Sequence, residues 1–313
     1  MRFFLTCLFI ALSAIFTGGA MAQTEVRIGY QRGNIFDVLM DQRFVEDALG
    51  EDYTVTWTLF AAGPPLLEAM NAGAIDFGLT GDTPPVFAQA AGVPLRYVAS
   101  QHTPTNEAII VPEGSEIQSV ADLAGKKVGY TVGSSANYTL VKALETAGLT
   151  LDDVESVPLT PADARAAFQG GSLDAWSIWD PFLTSATQEL AARSLISRYD
   201  VGDYRWFYLA SETFVTEQEA ALTTILEQLQ VATDWIRENP DGYAQLLTDQ
   251  TGIPTEVWTQ ILTQRDFQDP EPITPELVAS QQGVADTFFE SGSLPTEINV
   301  KDAVWQWKTA QQP

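Results

Sequence analysis

RIGYQRGN, Arg27 to Asn34, returns as KVGYTVGS, Lys127 to Ser134. Each copy passes from an alternating, β-prone stretch through a glycine turn into a helical pattern, IFDVLMDQRFVEDALG after the first and SANYTLVKALETAG after the second. A second pair repeats in the same order: AMNAGAIDFGLTGD, Ala69 to Asp82, matches AFQGGSLDAWSIWD, Ala167 to Asp180. Gly73 falls on Gly171, Asp76 on Asp174 and Asp82 on Asp180. Two similar α/β halves follow, each placing its strand-to-helix turns on one edge, where open α/β sheets bind ligands.

Working outward, β-prone segments at Val26 to Tyr30, Thr54 to Phe60 and Ile75 to Thr80 alternate with helical patterns at Ile35 to Leu49, Pro64 to Ala72 and Pro85 to Ala91. That rhythm predicts βαβ units with mostly parallel pairing. It resumes at Lys127 to Thr131, Ser135 to Ala147, Val154 to Leu159, Ala162 to Gln169 and Leu173 to Trp179. EAIIVP at Glu107 to Pro112 and YRWFYLA at Tyr204 to Ala210 read as crossings between the halves. Beyond Thr216 the pattern is helical: Glu217 to Glu238, stopped by Asn239-Pro240, then Gly242 to Gln250, Pro254 to Thr263 and Thr274 to Glu290. The expected organisation is a first lobe of 23–108 with 211–313, a second lobe of 109–210, and a cleft between them that closes by hinge motion.

Residues 1–22 read as a secretory signal: Arg2, an apolar run from Phe3 to Phe16, and Ala20-Met21-Ala22 as the cleavage site. The only cysteine, Cys7, lies within it. The formal net charge is −25. Residues 1–22 hold one basic residue and no acid, so the mature chain is one unit more negative. Such a charge makes nucleic acid and anionic membranes poor partners. With no thiol left and a single histidine, His102, in the polar loop SQHTPTN, Cys/His catalysis and Cys/His metal clusters have no basis. Carboxylates lack metal-type spacing, and neither metal nor cofactor is expected.

The turns are better suited to holding an anion. In VGSSANY, Gly133 lets the backbone bend, and Ser134 or Ser135 can cap a helix whose first N–H groups point into the cleft. Capping alone explains those serines equally well. GNIF at Gly33 to Phe36 offers a second helix start facing the first. Asp82 and Asp180, in DTPP and DPF, read first as N-caps and second as groups that orient a ligand. Trp176 and Trp179 point to opposite faces of a strand; Trp179 is the one placed to line the cleft.

Taken in order, GYQRGN, FAAGPPLLEAMNAGAIDFG, TGDTPPVFAQAAG, SVADLAGKKV, GSS, LTPADARAAFQGGSLDAWSIWDP and FYLAS resemble the periplasmic aliphatic sulfonate-binding proteins of ABC importers. The resemblance runs over nearly the whole mature chain, to INVKDAVW. It implies a two-lobed periplasmic binding protein fold of type II, with two mixed sheets flanked by helices. It also implies a monomeric, periplasmic receptor, not an enzyme, that delivers an alkanesulfonate to a permease and its ATPase. By the same resemblance the sulfonate head sits among Gln31, Gly33, Asn34, Gly63, Gly81, Asp82, Gly133, Ser134 and Ser135, with Trp179 and Asp180 on the far side. Taurine- or nitrate-type receptors, and enzymes on the same fold such as relatives of thiamine-pyrimidine synthases, are the alternatives. In this reading the second copy of the opening phrase grips the head and the first closes over it.

Overall fold

The computed structural model describes residues 23–102 and 106–307; the expected signal segment lies outside them. Among the described residues ten strands run in chain order: β1 (Thr24–Tyr30), β2 (Tyr53–Leu59), β3 (Phe77–Thr80), β4 (Leu95–Gln101), β5 (Glu107–Val111), β6 (Lys127–Tyr130), β7 (Glu155–Pro158), β8 (Ala175–Trp179), β9 (Arg193–Ser197) and β10 (Trp206–Ser211). They form two five-stranded sheets, ordered β2-β1-β3-β10-β4 and β7-β6-β8-β5-β9. The duplication seen in the sequence is therefore a duplication of topology. In each sheet the strand carrying the GY phrase lies second and pairs in parallel with both neighbours. The fourth place belongs to a strand that follows a crossing between the sheets, β10 in one and β5 in the other. It runs antiparallel to both neighbours, so each sheet is mixed.

The matched acids of the repeat explain the common register. Asp76 Oδ2 accepts from the Arg27 backbone N–H at 2.8 Å, and Asp174 Oδ2 accepts from that of Lys127 at the same distance. Each carboxylate thus ties a central strand to the turn before its neighbour. Arg27 adds an ion pair to Asp76.

Helices cover both faces of each sheet. They are α1 (Ile35–Asp41), α2 (Phe44–Leu49), α3 (Gly63–Asn71), α4 (Thr83–Ala90), α5 (Ser135–Thr146), α6 (Pro161–Gln169), α7 (Phe182–Glu189), α8 (Glu212–Glu217), α9 (Glu219–Glu238), α10 (Pro240–Thr251), α11 (Thr255–Thr263) and α12 (Pro275–Glu290). One apolar cluster joins β1, β3 and β10 to α1, α9, α10 and α11, through Phe36, Tyr208, Leu226 and Trp258. The opposite face of the same sheet packs on α3, α4 and α12 through Leu66, Val86 and Phe288. The second sheet is covered likewise by α5 on one face and by α6 and α7 on the other. Burying apolar surface on both sides of a sheet is what these layers accomplish. No described helix is long and apolar enough to cross a membrane.

Three details depart from the sequence reading. The helix expected over Ile35 to Leu49 is two helices, because Arg43 adopts a left-handed φ of 57°. The apolar period survives the break, since both pieces lie against α9. The helix expected over Glu217 to Glu238 is found as α9, begun two residues later at Glu219 because Glu217 ends the short α8. Strands β4 and β9 were not expected. Nearly every residue of β4 is buried, so it lacks alternation, and β9 is a half-exposed edge strand with two charged or polar ends.

Candidate anion-binding cleft

The two GY turns share a backbone and differ in chemistry. Gly33 and Gly133 both take left-handed φ, 84° and 71°, a conformation that strains any residue with a Cβ. In the first turn Asn34 caps α1, its side chain accepting from Phe36 N–H at 2.9 Å. Asp37 then turns back, and its Oδ2 accepts from the N–H groups of Gly33 (2.7 Å) and Asn34 (3.1 Å), while Arg32 reaches Oδ1. In the second turn Ser134 caps α5, accepting from Asn137 N–H at 3.3 Å. The place of Asp37 is taken by Asn137, whose Oδ1 accepts from Gly133 N–H at 3.0 Å.

That single exchange separates the two helix starts. The amino end of α1 is already matched with a carboxylate of its own chain. The amino end of α5 is held by a neutral amide and keeps the positive end of its dipole unneutralised. Burial pushes the Asp37 carboxyl up to about 6, against the pull of Arg32 and the Gly33 and Asn34 amides. An acid raised in this way costs stability as pH climbs through its folded value, and the stability is complete only below its unfolded value near 4. Asp37→Asn, which copies the second turn, is expected to flatten the fall in stability between about pH 4 and pH 6 relative to the parent chain. Urea midpoints across that range check this; parallel profiles would refute it.

Both turns open on a cavity of about 630 Å³. Gln31, Gly33, Asn34, Gly63 and Gly81 line it from the side of the first sheet, and Ser134, Ser135, Trp179 and Asp180 from the side of the second. Gly63 and Gly81 permit close approach: an added Cβ would stand 2.6 Å from the Pro84 side chain and 2.8 Å from the Tyr204 hydroxyl, respectively. Trp176 is buried in the core, stacked obliquely with Phe168 and Phe182, whereas Trp179 faces the cavity. Asp180 keeps a capping bond, accepting from Thr184 N–H at 3.0 Å and from its hydroxyl at 2.6 Å. Burial raises its carboxyl above the usual range, with Thr184 and Arg265 opposing.

Two expected residues lie elsewhere. Gly133 shapes the turn but faces Phe87 and Pro64 instead of the cavity. Asp82 neither lines the cavity nor caps α4 through its side chain. Its Oδ2 pairs with Arg198 at 2.6 Å and its Oδ1 accepts from the Thr83 hydroxyl. Arg198 is 1% exposed and comes from the turn after β9, so the ion pair joins the two sheets beneath the cleft. Burial disfavours its charge, but Asp82 and Glu107 outweigh that and hold the guanidinium above its ordinary value. The serines divide their work. Ser134 Oγ donates to the Thr131 carbonyl at 2.6 Å while capping, and the Ser135 hydroxyl donates to Glu107 at 2.5 Å.

Sequence reasoning missed a buried arginine in the cleft. Arg265, which follows α11 and is 8% exposed, lines the cavity and donates to the Gly33 carbonyl at 2.6 Å, with its guanidinium 5.8 Å from the Trp206 ring. Nothing in TQRDF marks it, because its partner stands 232 residues earlier. Leu59, Phe60, Phe182, Trp206 and Ile253 add an apolar wall. His102 lies outside the cavity, 3.3 Å from Asp203. Among the described residues no three His, Cys, Asp or Glu gather to hold a metal. The cleft can therefore take one compact anion at a helix start and an arginine, and an apolar group beside it.

The chain as a whole is similar to known proteins. The family described as NMT1/THI5 like matches residues 63–243. A protein of Escherichia coli (strain K12), named as a candidate aliphatic sulfonates-binding protein, is 37% identical over 298 residues, spanning 95% of this chain and 93% of the relative. The crystal structure of the alkanesulfonate-binding protein SsuA from Xanthomonas axonopodis pv. citri bound to MOPS superposes with a TM-score of 0.86 at 35% identity, covering 92% of this chain and 100% of that one. The periplasmic aliphatic sulphonate binding protein SsuA from Escherichia coli gives 0.81 at 37%, covering 93% and 96%.

Proposed function

The chain belongs to the NMT1/THI5-like family and has the fold of the periplasmic sulfonate-binding proteins, and on that footing we propose that it is an extracytoplasmic receptor delivering an aliphatic sulfonate to an ABC importer. The observation that carries this is the cavity between the two sheets, where the neutral start of α5 and the buried Arg265 both open beside an apolar wall. A sulfonate presents those two faces, three acceptor oxygens and a hydrocarbon tail. Amide N–H groups and one arginine suffice to hold it in a protein of strongly negative net charge.

In this proposal the first lobe carries β1 to β4 and β10 and the second carries β5 to β9, so the expected bounds at 108 and 210 move back to the crossings that precede β5 at Glu107 and β10 at Trp206; the hinge lies at those crossings, and closure brings α1 over an anion held at α5. The receptor acts as a monomer in the periplasm, having left the cytoplasm by its first 22 residues, and meets a permease with its ATPase. Neither nucleic acid nor a cofactor takes part. Binding without catalysis fits a cavity whose described lining holds no cysteine and no histidine.

A thermal-shift panel of ethanesulfonate, octanesulfonate, taurine, sulfate and nitrate tests the proposal. A ligand that binds only the folded chain stabilises it by about 2.7 kcal/mol at a hundred times its Kd. The alkanesulfonates are expected to raise the melting temperature, and sulfate and nitrate to leave it near the unliganded value. Stabilisation by nitrate alone, or consumption of the sulfonate with no other protein present, would overturn the assignment.

A further inference from the structure

Beneath the cavity floor lies a carboxyl that anion binding alone does not require. Glu107 opens β5 and is buried, with 1% of its surface exposed. Its Oε2 accepts from the hydroxyl of Ser135 and its Oε1 from that of Thr139, both on α5. Ser135 lines the cavity and so connects this carboxyl to whatever is bound there. The other charged or titratable groups around it are Arg198 from the turn after β9, Asp82 ahead of α4, Tyr138 on α5 and Tyr204 ahead of β10. Arg198 spends Nη2 on Asp82 at 2.6 Å and on the Asp203 carbonyl. One guanidinium thus serves two carboxylates.

A serine hydroxyl has one proton to give. While that proton is donated to an ionised Glu107, Ser135 presents only oxygen lone pairs to the cavity, which repel a sulfonate oxygen. If Glu107 is protonated, its own O–H donates to one of the two hydroxyls, and the Ser135 proton turns toward the ligand. We infer that Glu107 is a positioning residue: its carboxyl sets the direction of the Ser135 hydroxyl, and a sulfonate binds to the form in which Glu107 carries a proton taken from solvent by way of that hydroxyl. The inference rests on the sulfonate reading above. Burial pushes the Glu107 carboxyl up to about 7, with Arg198, Ser135 and Thr139 pulling it down and Asp82 raising it. An arriving anion adds a further negative charge and favours the proton again. Because binding takes up a proton, affinity is greatest below pH 7 and falls as pH rises above it, by at most about tenfold per pH unit.

Calorimetry with ethanesulfonate, which stays anionic throughout, tests this between pH 6.5 and 8.5 in two buffers of different ionisation enthalpy. The range lies above the titration of Asp37 at about 6. The unaltered protein is expected to take up a fraction of a proton that grows toward one per site as pH rises, with Kd weakening in step. E107Q, whose amide can donate as the protonated acid does, is expected to bind at every pH as the parent does at pH 6.5, with no proton uptake. A parent protein that binds with a constant Kd and no uptake overturns the inference and leaves the sulfonate reading intact, as does an E107Q that keeps the slope. Failure to bind at any pH removes both.

Discussion

Arg198→Ala is expected to destabilise the folded chain by about 3–5 kcal/mol, the range for removing one member of a buried ion pair and leaving the other charged and unpaired. The side chains of Arg198 and Asp82 retain only 2% and 5% of their exposure, and their contact is 2.6 Å. The guanidinium also donates to the Asp203 carbonyl and lies over the Tyr138 ring, 4.3 Å from its centroid. Losing it strands Asp82 and leaves Glu107 without its attracting charge. A second variant separates charge from packing. In Arg198→Met with Asp82→Asn both charges leave and most of the volume stays, so a large part of the loss should return, since replacing a whole buried pair is often near neutral. Urea unfolding of the parent, Arg198→Met, Asp82→Asn and the double variant measures the coupling. Additive losses would mean that the pair does not act as a pair, and a single-variant loss under about 1 kcal/mol would place Arg198 among the weak surface bridges.

What could be read from the sequence was whatever is written locally. Alternation, glycine turns and caps gave β1, β3, β6 and β8 with their helices, and the doubled phrase located both cavity-facing turns. The repeated acids Asp76 and Asp174 do the same structural task in the two halves, which is why they align. Asp82 and Asp180 align equally well and have parted: Asp180 still caps and lines the cleft, whereas Asp82 has turned to Arg198, 116 residues away. A local pattern cannot tell these apart, because the deciding partner is brought in by the fold. The same holds for Arg265 and for Glu107, whose importance lies in what the crossing segments carry beneath the cleft. Strand β4 was missed for a different reason. Covered on both faces, it presents no period to read. Asp37 against Asn137 was legible in principle, one position in two aligned turns. Its meaning required knowing that both side chains reach back to a glycine N–H.

Arg265→Ala should weaken ethanesulfonate binding by about 2–5 kcal/mol, the cost of truncating one member of a buried, hydrogen-bonded charge pair. Two effects add. The anion loses a charge-assisted donor that is 8% exposed and therefore poorly replaced by water. Arg265 also opposes the burial that raises the Asp180 carboxyl on the cavity wall; without the guanidinium an ionised Asp180 either faces the sulfonate as a like charge or must first take up a proton, and both cost affinity. The second effect makes the prediction specific. Adding Asp180→Asn to Arg265→Ala should recover part of the affinity, because the repulsion is removed although the donor is still absent, whereas Asp180→Asn alone should change binding far less. Arg265→Lys should fall between parent and Ala: it keeps the charge, but an ammonium lacks the planar fork that can serve the Gly33 carbonyl and a ligand oxygen together. Calorimetry on the parent and the four variants at low and moderate salt provides the test, with far-ultraviolet circular dichroism showing that each is folded. If Arg265→Ala binds within threefold of the parent, the helix start of α5 holds the anion without a countercharge. If the double variant is no better than the single, Arg265 acts through its hydrogen bonds and Asp180 exerts no charge effect on the ligand.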